Sequence, residues 1–94
     1  MQFKKMKDPY IDRLFDAILL LESREDCYRF FEDICTIGEV TSMAQRLQVA
    51  AMLKEGRTYT DIVETTGAST ATISRIKRFL HHGANGYMMI LERL

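Results

Sequence analysis

The sequence predicts an all-α chain of six helices that includes a helix-turn-helix, and three observations carry that reading. Apolar residues recur at three- and four-residue spacing along nearly the whole chain, and the alternating apolar and polar runs of half-buried strands are missing. Cap residues followed three positions later by an acid open one segment after another. One Pro and five Gly leave too few turn residues for the many corners of a β-sandwich.

Each element follows from local signals. Asp8 before Pro9 is an N-cap with proline at the first helical position, and Ile11, Leu14, Phe15, Ile18 and Leu21 continue at helical spacing. Ser23 with Asp26 resembles a capping box and opens a second helix whose apolar side holds Cys27, Phe30, Phe31, Ile34 and Cys35. Thr36 with Glu39 opens a longer helix through Met43, Leu47, Ala50, Ala51 and Leu53 to Gly56. Thr58 with Asp61 begins a short helix carrying Ile62 and Val63 that stops at Gly67. Ser69 opens the fifth, with Ile73, Ile76 and Leu80, ending at Gly83. Asn85 or Gly86 starts a last short helix with Met88, Met89, Leu91 and Leu94.

Residues 1–94 read as one domain: dimerisation helices over 1–56, a helix-turn-helix over 57–82, and a C-terminal helix over 83–94 that packs on the dimer. The first two helices are short and apolar on wide faces, which points to a symmetric homodimer; a compact monomer with a well-filled core is the alternative. The six Met residues are expected in the core and the dimer seam.

An apolar fraction of 47% argues against disorder. A net charge of +0 argues against binding nucleic acid through overall charge, so any DNA contact must be local. Cys27 and Cys35 are too few for a disulfide framework and lack zinc-site spacing, so they read as a buried, reduced pair. No apolar run reaches the ~18 residues of a membrane span, and "MQFKKMKD" is not followed by a signal-type stretch. The expected location is the cytoplasm, with no membrane partner. A phosphate-binding glycine loop, metal-spaced ligands and an acid/base pair in an identifiable cleft are all lacking, which argues against an enzyme, a cofactor or a metal.

The unit from Thr58 to Leu80 concentrates the functional signal. A two-turn helix ends at Gly67, which can take the left-handed conformation, and two residues later Ser69 caps the next helix. Ile62, Ala68, Ile73 and Ile76 are spaced to form the small core between the pair. On the fifth helix Ile73, Ile76 and Leu80 share one face, leaving Ala71, Ser74, Arg75, Arg78 and His82 opposite. In a DNA-reading helix the N-terminal residues meet the bases. Ala71 suits a thymine methyl, Thr70 and Ser74 can bond several base edges, and Arg75 can read guanine or hold phosphate. Lys77, Arg78, Thr58, Thr60 and Thr72 are placed for the DNA backbone, and Ser69 at the cap completes the set.

Between Ser69 and His82 stand three cations and no acid, while residues 1–40 hold nine of the thirteen acids. Charge is therefore segregated, with a basic reading head and an acidic-leaning remainder. An ordinary solvated face, or an all-helical protein-interaction module without DNA binding, is the competing reading.

"AQRLQVAAMLKEGRTYTDIVETTGASTATISRIKRFL", residues 44–80, resembles the core of the Trp repressor superfamily. Within it, the chain is most similar to the small bacterial TrpR-related branch called YerC/YecD. The resemblance rests on Gly67, the Ala71-Thr72-Ile73 run and Arg75 in matching order and spacing. It implies a six-helix intertwined homodimer with two reading heads, repressing transcription at a palindromic operator in double-stranded DNA, in the cytoplasm and on the bacterial nucleoid. It also implies a tryptophan pocket, whose two arginines match Arg46 and Arg75 and whose threonine matches Thr36. The chain departs from that pattern: Ile76 replaces a small glycine, Phe79 replaces a serine, and the stretch from Gly56 to Gly67 is one residue shorter. Free tryptophan is therefore not expected to bind, and Arg46 and Arg75 are left as a structural pair or a site for another small anion.

Overall fold

The computed structural model describes residues 8–94 and places six α-helices there, with no strand among those residues. They are α1 (Pro9–Ile18), α2 (Arg24–Ile34), α3 (Ile37–Lys54), α4 (Tyr59–Thr66), α5 (Thr70–His82) and α6 (Gly86–Arg93). Apart from Asp8, the "MQFKKMKD" segment lies outside the described residues.

The helix starts are built by the side chains that the sequence marks. The Asp8 carboxylate accepts from the Tyr10 and Ile11 amides at 2.7 and 3.3 Å, satisfying donors that α1 leaves open, while Pro9 has none to lose. Before α2, Ser23 Oγ accepts from Asp26 N at 3.0 Å. The Asp26 carboxylate accepts in turn from Glu22 N, one residue ahead of the cap. Before α3 the box is fully reciprocal, with Glu39 N donating to Thr36 Oγ1 at 3.1 Å and Thr36 N donating to Glu39 Oε1 at 2.8 Å. Those contacts hold the Glu39 carboxyl below its usual range, the Thr36 backbone N–H being the larger cause and the Thr36 side chain the second.

Helix ends are equally local. Gly56 sits at φ 80, with Gly56 N donating to Leu53 O and Arg57 N to Met52 O, the paired bonds of a Schellman motif. The first helix ends earlier than its apolar periodicity predicts, at Ile18 rather than beyond Leu21. Leu20 N and Leu21 N donate to Ala17 O and Ile18 O, so the chain tightens into three-residue bonds as it turns toward the Ser23 cap.

The described chain forms two compact units divided between Val40 and Thr41. In the unit from Thr41 to Leu94, α5 packs against both α4 and α6. Val49, Ala50, Met52, Ile62, Ala68, Ile73, Ile76 and Leu80 are buried there. Each large aliphatic side chain removed from water contributes roughly 1.5–3 kcal/mol, so this cluster is what holds α5 in place.

The unit ending at Val40 is different, because none of its described residues is buried. Tyr10, Leu19 and Ile37 are 84%, 80% and 87% exposed, and an open groove of about 640 Å³ runs past Cys27, Tyr28, Phe31, Cys35, Ile37 and Val40. The expected buried cysteine pair is not found: Cys27 is exposed and Cys35 half-buried, both as free thiols. Helical spacing correctly gives them an apolar face, but no described residue of this unit buries it. Among the methionines, Met52 is buried in the core of the other unit, and Met43 and Met89 are about two-fifths exposed.

Candidate nucleic-acid interface

The turn between α4 and α5 is fixed from several directions. Gly67 takes φ 74, ψ 3, and its amide donates to Val63 O at 2.9 Å, closing α4 in the left-handed conformation that non-glycine residues avoid. Thr66 Oγ1 donates to Ile62 O at 2.7 Å and accepts from Ala68 N at 3.1 Å, pinning the residues on both sides. Gln45 on α3 reaches over, its Nε2 donating to Thr66 O at 3.0 Å. Ile62, Ala68, Ile73 and Ile76, the residues spaced to fill the inter-helix core, are all buried. Ser69 then caps α5 by accepting from Thr72 N at 3.2 Å.

With Ile73, Ile76 and Leu80 turned inward, the opposite edge of α5 is open. Thr70, Ala71, Ser74, Arg75, Lys77 and Arg78 are all exposed, as are Thr58 and Thr60 at the start of α4. Thr72 is half-buried. The polar groups differ in what they have left to offer. Ser69 Oγ donates to Thr72 Oγ1 at 3.0 Å while accepting from its amide, so its proton stays within the cap and is lost to a phosphate, which only accepts. Thr58 Oγ1 accepts from Asp61 N, which leaves its own proton available to donate.

Electrostatics favour an anion along this edge. The ion pairs among the described residues join Arg29 to Glu25 and Arg57 to Glu55 and Asp61; none involves Arg75, Lys77 or Arg78. Lys77 Nζ lies 5.8 Å from the Tyr59 ring centre, and the Arg78 guanidinium lies 5.4 Å from that of Phe79. Aromatic faces hold both cations without neutralising them. Tyr59 belongs to this edge as well, since its hydroxyl oxygen is 3.4 Å from Ser74 Oγ.

Arg46 and Arg75 come together at one recess of about 360 Å³, lined also by Ser42, Gln45, Thr72, Ile76, Phe79 and Tyr87. Arg46 Nε donates to Ser42 O at 3.4 Å, and Ile76 and Phe79 form apolar wall. Among the described residues, no acid lines the recess. Thr36 belongs to the other unit, where its hydroxyl and amide are committed to the α3 capping box. Among the described residues, no three His, Cys, Asp or Glu side chains gather as a metal site, and no helix is long and apolar enough to cross a membrane.

A capped, glycine-closed helix pair whose second helix offers an unneutralised polar edge defines the class, an all-α helix-turn-helix protein. The chain belongs to the Trp repressor family, whose model, described as Trp repressor protein, matches residues 10–94. This is a family of DNA-binding regulators rather than of enzymes. The chain is 55% identical over 94 residues to the Bacillus subtilis (strain 168) protein called uncharacterized protein YerC, covering all of this chain and 90% of that one. A crystal structure of a proposed Trp repressor from Staphylococcus aureus matches with a TM-score of 0.94 at 57% identity, over 99% of this chain and 93% of that one. A TrpR-like protein from Eubacterium eligens ATCC 27750 matches with a TM-score of 0.93 at 53% identity, over 96% of this chain and 93% of that one.

Proposed function

We propose that the protein is a sequence-specific transcriptional repressor that binds a palindromic site in double-stranded DNA as a homodimer, in the bacterial cytoplasm and on the nucleoid, without tryptophan as corepressor. The observation that carries this reading is the open Ala71–Arg75 edge of α5, flanked by three cations that no acid among the described residues pairs. Thr70, Ala71 and Ser74 meet base edges, Arg75 reads guanine or grips phosphate, and Lys77, Arg78, Thr58, Thr60 and Thr72 hold the DNA backbone. Ser69 serves through the cap that orients the helix.

An open apolar face is what supports the homodimer part of this reading. None of the described residues of the unit ending at Val40 is buried, and a broad apolar surface left open in water marks an interaction face. Pairing through it yields two reading heads and six cations at the DNA. If all six meet phosphate, the log–log salt slope is near −5.4, a loss of roughly 2,000-fold in affinity between 50 and 200 mM salt.

Tryptophan fits the recess poorly. Ile76 and Phe79 crowd the space an indole needs, and beside two arginines an ammonium finds no carboxylate among the lining residues. Arg46 and Arg75 are left for a small anion or for shaping the recess. The zero net charge favours the interaction-module alternative, which predicts no salt-sensitive DNA affinity at all. Fluorescence anisotropy on labelled genomic duplexes at several salt concentrations separates the two. Steep salt dependence, with at least tenfold weaker binding for Arg75→Ala, supports the repressor; a flat response, or an unchanged Arg75→Ala affinity, contradicts it.

A further inference from the structure

We infer that Tyr59 sets which bases α5 reads, by turning the Ser74 hydroxyl into a pure hydrogen-bond acceptor. The inference rests on α5 lying in a DNA major groove, as proposed above. Tyr59 is the first residue of α4, and its half-buried ring packs against the core cluster, so its hydroxyl is held in place rather than free to swing. That hydroxyl stands 3.4 Å from Ser74 Oγ, and Lys77 Nζ sits over the same ring. Ser74 is exposed one turn in from the start of α5, on the edge it shares with Ala71 and Arg75. One tyrosine therefore joins a backbone-directed cation to a base-directed hydroxyl.

A serine hydroxyl by itself is ambivalent, since it donates one proton and accepts through two lone pairs. A phosphate oxygen only accepts. When the DNA backbone settles beside Lys77, the Tyr59 hydroxyl can engage it only by donating, and its lone pair is then left to accept the Ser74 proton. The chain of donors runs from Ser74 to Tyr59 to phosphate, and each bond polarises the next. That polarisation draws the 3.4 Å separation toward the ordinary O–H···O length. Ser74 is left with lone pairs facing the groove. There adenine N6 and cytosine N4 present donors, whereas the major-groove edges of guanine and thymine offer no N–H donor, only acceptors that face a lone pair unfavourably. The pair thus favours adenine or cytosine at the contacted position, a preference a lone serine lacks.

The test is selection of full-length protein on a random duplex pool, with Tyr59→Phe, Ser74→Ala and the double variant in parallel. Phenylalanine keeps the ring, its core packing and the seat for Lys77, and thermal melts check that the fold is unchanged. Wild type should favour adenine and cytosine by about fivefold at one position per half-site. Tyr59→Phe should erase that preference alone, Ser74→Ala should erase the same one, and the double variant should lose nothing more. The salt slope of Tyr59→Phe should equal that of wild type, because a neutral hydroxyl displaces no counterion. An unaltered preference at every position in Tyr59→Phe overturns the inference, as does a uniform loss across the site. Wild-type enrichment of guanine or thymine at the position that Ser74→Ala erases overturns it too. If wild type enriches no sequence, the DNA-binding reading itself falls and takes the inference with it, an outcome distinct from the others.

Discussion

Replacing Gly67 with alanine isolates what the turn contributes, because an added Cβ there meets no atom within 4 Å. No steric clash enters, and the whole cost comes from holding an L-residue at φ 74. A left-handed non-glycine residue costs roughly 1–2 kcal/mol. For a domain of this size each kcal/mol lowers Tm by about 4–8 °C, so Gly67→Ala should melt about 4–16 °C below wild type. Asparagine visits the left-handed region more readily, and Gly67→Asn should fall between the two. Gly83→Ala provides a contrast of another kind, since its Cβ would sit 2.4 Å from the Phe79 carbonyl oxygen and force the end of α5 to shift. Melts must be compared at one protein concentration, because the proposed pairing of chains would make Tm concentration-dependent. DNA affinity should drop further than stability explains, since a relaxed turn re-aims α5. A Gly67→Ala protein that melts with wild type would refute the claim that this left-handed turn aims the reading helix.

Three further outcomes follow from the structure. Leu19→Glu places a charge on the open apolar surface of the N-terminal unit and should shift sedimentation equilibrium from two chains to one; an unchanged dimer would place the interface elsewhere. The lowered Glu39 pKa adds stability that is present above the unfolded value and is lost as pH falls through the lower folded value, so wild type should weaken there in acid while Glu39→Gln does not. Equal acid profiles for the two proteins would show that the Thr36–Glu39 box does not respond to protonation. Calorimetric titration with tryptophan should give no heat of specific binding; micromolar affinity would mean that Ile76 and Phe79 leave room after all.

What the sequence reveals here is what is decided locally. Asp8, Ser23, Thr36, Thr58 and Ser69 cap helices because a side-chain oxygen two or three residues from an open amide needs only short-range geometry. Gly56 and Gly67 end helices for the same reason. The end of α1 was harder to see, because Leu19, Leu20 and Leu21 prolong the apolar rhythm without any stop residue. Cys27 and Cys35 show the limit of periodicity, which identifies an apolar face but not whether the same chain covers it. The Tyr59–Ser74 contact spans fifteen residues across the turn and depends on how the two helices cross, which no local signal encodes. Gln45 on Thr66 was invisible for a similar reason. Arg46 and Arg75 do line one recess, but it was family resemblance and not spacing that paired them.

Selection of wild-type protein on a random duplex pool addresses gene control by paired reading helices most directly. The result expected is an inverted repeat whose half-sites lie about 10–10.5 base pairs apart, centre to centre, the spacing that two-fold-related helix-turn-helix heads require. Recovery of unrelated sequences, or of a single half-site with no symmetric mate, would contradict it.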